Sequence, residues 1–273
     1  MRRQASAAAA AALDKAQDLI YDAWEANTSK RRIALAKKAL AISPLCADAY
    51  TLLAEHAKTG SEEEFELWQR GVEAGKKAIG ESAFDEYAGE FWGFLETRPY
   101  MRARFGLASA LWVRGDRDDA IAHFQDMLKL NPNDNQGIRY VLAARLVAVG
   151  RDDELATLLS KYSDDGAAMW VWTAALAAFR RFGDNAESRA LLVEALDNNE
   201  HVAGYLLGET RVPKQLPPYY SPGDNREAVL YAVEAGGGWA MTPGALNWLK
   251  AHRPAPKAER PKTERSGHRR EPR

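Results

Sequence analysis

The sequence predicts an all-α fold, a right-handed α-solenoid of helical pairs with C-terminal capping helices, and three observations carry the prediction. Helix-period apolar patterning dominates from Leu13 to about Leu207, with scarcely any alternating, strand-like run. Helix-length stretches come in pairs that turn at glycines, namely Gly60, Gly115, Gly150 and Gly183. Acidic or polar residues follow these turns, as in "GDRDDA", "GRDDEL" and "GDNAES", where negative charge favours the positive end of a helix dipole.

The opening "MRRQASAAAAAALDKAQ" imitates an export signal. Alanine is weakly hydrophobic, the run lacks a leucine-rich centre, and charges follow at once, so residues 1–12 read as a flexible lead into the first helix. No stretch approaches the ~20 apolar residues needed to span a bilayer. "ALAISP" ends an early unit at Pro44, and "ADAYTLLAEHAKTGSEEE" then supplies Tyr50, Leu53, Ala54 and Ala57 before Gly60. In "GLASALWVRGDRDDAIAHFQDMLKLNPND", Leu107, Ala108 and Leu111 share one face before Gly115. Ala120, Phe124 and Met127 share a face of the following helix, which ends before Pro132 because proline cannot continue it.

That unit resembles a tetratricopeptide repeat, a helical pair of about 34 residues. The spacing recurs at Leu142, Ala143 and Leu146 before Gly150, and in degenerate form from Trp170 through Gly183 to about Asn199. Residues 13–207 thus hold about four or five tetratricopeptide-like pairs, enough to stack a continuous core. In 208–251 a proline-rich surface segment, "GETRVPKQLPPYYSPGD", precedes two short capping helices. One is expected near Asp224 to Glu234 and the other at "TPGALNWLK", with Thr242 as cap and Pro243 in the first turn. The glycines of "EAGGGW" read as a flexible joint before Trp239. Residues 252–273 are charged, proline-rich and without apolar anchors, which predicts a disordered basic tail.

A chain of 273 residues can bury a sizeable core, and its formal net charge of -1 predicts no specific nucleic-acid binding and no attachment to an acidic membrane surface. Cys46 is the one cysteine; a lone thiol makes neither an internal disulfide nor a thiolate-rich zinc site, which fits a reducing cytoplasm. The five histidines are scattered, and no HExxH, paired-cysteine, GxSxG or P-loop pattern exists. His123, beside Phe124, reads as a packed or surface histidine. No catalytic residue, metal or cofactor is therefore expected, and the chain reads as a non-enzyme of undetermined oligomeric state.

Residues 91–104, "FWGFLETRPYMRAR", set three arginines among aromatic rings in front of an apolar helix. Pro99 suits the first turn, with Thr97 or Arg98 near the cap. Counting in steps of three and four, Arg98, Arg102, Phe105, Ser109 and Trp112 form one stripe, and Arg104 joins Leu107, Ala108 and Leu111 on the next. In stacked repeats the first helix of a pair lines the concave surface, so the former stripe is expected on a groove and the latter inside. An interior Arg104 needs an acid, Glu90 or Glu96 being the candidates. Arg98 and Arg102 either bind a carboxylate or phosphate through the guanidinium fork or pair within the fold. "NPNDNQGIRY" adds Asn133, Asn135, Arg139 and Tyr140 at the groove edge, unless Asn133 or Asp134 only caps a helix. Trp112 and Trp170, at helical spacing, also fit core or inter-repeat packing.

Together, "FWGFLETRPYMRAR", "HFQDMLKLNPNDNQGIRYVLAARL" and "YYSPGDNREAVLYAVEA" with its later tryptophan resemble the suppressor-of-tumorigenicity-seven (ST7-like) family and its bacterial tetratricopeptide relatives. The resemblance covers about Leu13 to Leu249. It implies an α-helical repeat fold, points away from a known enzyme activity and supplies no catalytic residues; animal members carry membrane-spanning segments. The expected function is a cytoplasmic scaffold that binds a peptide or helix of a protein partner in its concave groove, acidic groups on the partner being one option. Two alternatives stand beside it: an enzyme or small-molecule binder using an Arg/Asn anion site, and a structural subunit of a larger assembly.

Overall fold

The structure is a computed structural model that describes residues 2–254, the side chains of 2–6 excepted. The tail expected over 252–273 lies outside the described residues from position 255 onward. Among the described residues the chain is all-α, without strands, and its helices pack in sequence order as in an all-α solenoid. Among those residues no helix is long and apolar enough to cross a membrane. The chain divides into two compact units, Met1–Asp165 and Gly166–Arg273, so the boundary expected at Leu207 falls inside the second.

The first unit comprises α1 (Arg2–Glu25), α2 (Ser29–Ile42), α3 (Ala47–Glu55), α4 (Glu62–Ile79), α5 (Ala83–Glu86), a 3-10 turn (Leu95–Thr97), α6 (Arg98–Arg114), α7 (Arg117–Leu130), α8 (Ile138–Val149) and α9 (Asp152–Lys161). The lead expected to be flexible is helical from Arg2, since alanine is the strongest helix former. Ala16, Ile20 and Ala23 of α1 pack with Ala36, Ala39 and Leu52. Two of the turn glycines end helices as their sequence positions imply: Gly115 (φ 95°) and Gly150 (φ 74°) take the left-handed conformation that strains other residues, and their N–H groups return to the carbonyls of Leu111 and Leu146.

Helices α4 and α6 run against each other through small residues. A Cβ on Gly71 would lie 3.1 Å from that of Ala103, one on Gly75 would lie 2.9 Å from Tyr100, and one on Gly106 would collide with the ring of Trp68. Three contacts at helical spacing on both partners fix an antiparallel register. They also hold the arginine-bearing face of α6 beside α3.

The second unit comprises α10 (Ala168–Phe182), α11 (Ala186–Asn198), α12 (His201–Leu206), α13 (Asn225–Met241) and α14 (Ala245–His252). Its core is aromatic: Trp172 lies 5.8 Å from Trp239 and 6.2 Å from Tyr231, and Trp239 donates its indole N–H to the Tyr231 hydroxyl at 2.8 Å. This packing corrects the reading of "EAGGGW" as a joint, because Trp239 and Tyr231, both buried, anchor α13 on either side of the glycines and the helix continues through them. Thr242 is also reassigned. It closes α13, its hydroxyl donating to the Gly238 carbonyl at 2.7 Å, while Gly244 occupies the cap position of α14.

Asp224 caps α13, accepting from the N–H of Glu227 at 2.8 Å and of Ser221 at 3.0 Å. Desolvation raises its pKa, but those two N–H groups and Arg226 outweigh it and hold the carboxyl down to about 2. A carboxylate depressed in the folded state contributes stability that is fully present above its unfolded pKa and lost as pH falls through the folded one. The melting temperature of the second unit should therefore drop between about pH 4 and about pH 2, and Asp224→Ala should flatten that part of the profile. Parallel pH profiles for the two proteins would contradict this assignment.

Candidate functional site

Arg102, on α6, forms a two-pronged ion pair with a fully buried acid. Its Nε and Nη2 donate to the two carboxylate oxygens of Asp48 on α3, at 2.8 and 2.6 Å, and the Asp48 side chain has no solvent exposure. Gln17 on α1 completes the network with an Nε2 donation to Asp48 at 2.9 Å, and the Trp24 ring lies 5.3 Å from the guanidinium. A buried carboxylate with three N–H donors ties three helices together.

The other arginines are also held by the fold. Arg104 pairs with Asp126 at 2.9 Å instead of Glu90 or Glu96, because its side chain points across to α7, where it also meets His123 at 3.1 Å; on its own helix it donates to the Tyr100 hydroxyl at 3.1 Å. Burial, followed by the adjacent Arg104, lowers the His123 pKa below the usual histidine value. Arg98 donates to the Trp92 carbonyl at 3.0 Å and covers the Trp92 ring. Arg139 pairs with Asp134 at 2.9 Å and with Asp165 at 2.6 Å, and donates to the Tyr140 hydroxyl at 2.7 Å. Asp134 itself accepts from the N–H groups of Ile138 (2.7 Å) and Arg139 (2.9 Å), so it serves the start of α8; burial pushes its carboxyl up despite those donors. Asn133 and Asn135 are exposed, and Trp112 is half-buried between Arg117 and Arg145.

Beside the Asp48–Arg102 pair a cleft of about 410 Å³ opens between α3, α4 and α6. Thr51 and Glu55 of α3, Trp68 of α4, Arg102 and Phe105 of α6, and Gln136 from the α7–α8 connection line it. Of the residues expected at a groove, the cleft takes in Arg102, Phe105 and Ser109; Arg98, Trp112, Asn133, Asn135, Arg139 and Tyr140 lie outside its lining. Asp48, Thr51, Glu55, Trp68 and Gln136 were not singled out in the sequence. The signal available for Asp48 was a lone acid inside the apolar run "ADAYTLLA".

Two buried polar atoms of the lining, the Thr51 hydroxyl and the Gln136 side-chain oxygen, have no hydrogen-bond partner among the described residues. Desolvation raises the Glu55 carboxyl above its ordinary value. Among the described residues no group of three or more His, Cys, Asp or Glu side chains is placed to share a metal ion.

The chain is similar to the Protein ST7 homolog of Caenorhabditis elegans, 27% identical over 274 residues that make up 85% of this chain and 49% of that one. It is likewise similar to the Protein ST7 homolog of Drosophila melanogaster (27% over 259 residues, 85% and 47%) and to the Suppressor of tumorigenicity 7 protein of Mus musculus (27% over 285 residues, 87% and 48%). These matches support an ST7-like family. The chain spans about half the length of the curated relatives it matches. No family model matches it, and no solved structure matches it.

Proposed function

We propose that this ST7-like chain is a protein-interaction scaffold of tetratricopeptide-like helical pairs, working in the cytoplasm without catalysis, and that a segment of its partner seats in the cleft between α3, α4 and α6. The observation that carries the reading is the cleft itself. Aromatic rings wall it, and two of its lining residues, Thr51 and Gln136, carry a buried polar atom without a partner among the described residues, a composition that serves recognition by contact. An enzyme would need a nucleophile, base or metal beside an anion site. The arginine closest to the cleft is instead engaged with Asp48. A buried Cys46, its thiol pushed up to about 11 mainly by desolvation, suits a reduced cytoplasmic protein.

Ser109 lines the same cleft, so Ser109→Trp would fill it with an indole. Affinity capture from the native cell with mass spectrometry should recover a partner on the wild type and lose it on this variant, with an unchanged helical circular dichroism spectrum. Should Ser109→Trp misfold, Ser109→Leu repeats the comparison with a smaller plug. Equal recovery on folded plugged and unplugged proteins would remove the cleft from the interaction.

A further inference from the structure

We propose that the cleft between α3, α4 and α6 is a receptor for a lysine side chain of the partner segment, with Thr51, Glu55 and Gln136 accepting hydrogen bonds from the ammonium. The inference rests on the reading of the chain as a protein-interaction scaffold and reverses the charge preference that the arginines suggested.

The sign follows from where each charge goes. Arg102 is the lining's one cation, and it is matched by Asp48 through Nε and Nη2. The lining also carries Glu55 and Glu64. Glu64 accepts from neutral donors, the Gly60 N–H at 2.5 Å and the Trp68 indole at 3.4 Å, so its charge has no ionic partner among the described residues. Among the described residues Glu55 has no hydrogen-bond or ion-pair partner. Of the other basic residues near it, Arg32 and His56 lie outside the lining. With Arg102 neutralised, the lining holds an excess of negative charge, which favours a cation over a carboxylate.

The acceptors select the kind of cation. Thr51 and Glu55 stand four apart on α3 and are neighbours on its surface. The Thr51 hydroxyl, on a residue 4% exposed, and the Gln136 oxygen are the buried atoms that lack partners, and a buried polar atom is costly until something bonds it. Three acceptors fit the three N–H donors of an ammonium, whereas a planar guanidinium prefers a fork of paired oxygens. Trp68 and Phe105 supply an apolar wall for the four-carbon stem and aromatic faces for the charge.

The probe is the blocked pentapeptide acetyl-Ala-Leu-Lys-Leu-Ala-amide, titrated into the full chain by calorimetry beside versions carrying norleucine, glutamate or arginine for the lysine. The lysine peptide should bind, and the norleucine peptide about tenfold more weakly, the scale of one set of charged hydrogen bonds. Glu55→Gln should remove most of that difference. Thr51→Val should weaken the lysine peptide without lowering the melting temperature, because the hydroxyl it removes bonds nothing in the unliganded fold. Absence of binding, or affinity for any of the other three peptides equal to or above that for lysine, overturns the proposal. Loss of the captured partner on Ser109→Trp together with such a result would sink the lysine assignment and leave the scaffold reading standing; failure of both experiments would sink both.

Discussion

Arg102→Ala should destabilise the first unit by about 3 to 5 kcal/mol, the cost of leaving a buried charge without its counter-ion. Asp48 has no solvent exposure, and after the substitution Gln17 would be its remaining hydrogen-bond donor. The pair spans 54 residues of sequence and joins α3 to α6, so its loss also frees the helix that carries one wall of the cleft. Arg104→Ala should cost less, about 1 to 2 kcal/mol, because Asp126 is 44% exposed, keeps Lys129 at 2.8 Å and can be hydrated. Urea unfolding followed by tryptophan fluorescence ranks the two, since the Trp24 ring lies on Arg102. In a double-mutant cycle, Asp48→Asn with Arg102→Met should be far less damaging than the sum of the singles. An Arg102→Ala protein within about 1 kcal/mol of wild type would mean that water reaches Asp48.

That ranking inverts the one the sequence suggested, and the inversion shows where sequence reading stops. Helical spacing placed Arg102 and Arg104 on adjacent stripes, which α6 bears out as a helix from Arg98 to Arg114. Spacing within one helix cannot say which element faces each stripe. The acid for Arg102 lies upstream on α3 and the acid for Arg104 downstream on α7, so local candidates such as Glu90 were the wrong distance away in space. Turns were legible because glycine at a left-handed φ is a local demand, met at Gly115 and Gly150. The run at Gly236 was misleading for the opposite reason: local flexibility was overridden by the burial of Trp239, a tertiary fact. Thr51, Glu55 and Gln136 matched no motif. What sets them apart is an unmet hydrogen bond or a charge beside an apolar wall, and both exist only after folding.

Glu227→Ala should be the most damaging single change in the second unit, at about 3 to 5 kcal/mol, because it removes a buried carboxylate that accepts three hydrogen bonds. Its Oε1 accepts from the Ala168 N–H at 2.9 Å, and its Oε2 accepts from the Gly223 N–H at 2.7 Å and the Asn199 side-chain amide at 3.0 Å. Ala168 opens α10, whose own cap residue, Ala167, supplies no side-chain bond, so this start depends on a carboxylate 59 residues away. Glu227 also sits in the first turn of α13, so one negative charge serves the positive ends of two helix dipoles. Asn199 would keep the Asp224 carbonyl at 3.0 Å, but the Ala168 and Gly223 N–H groups would lose their side-chain acceptor. Glu227→Gln preserves one oxygen and turns an amide N–H₂ toward existing donors, so it should fall between, at about 1 to 3 kcal/mol. Asp224→Ala, which removes a surface cap, should cost less than either Glu227 variant. Chemical unfolding with emission from Trp172, Trp239 and Trp248 reads this unit's core, where all three are buried. If Glu227→Ala unfolds no earlier than Asp224→Ala, the buried carboxylate is not what holds α10, α11 and α13 together.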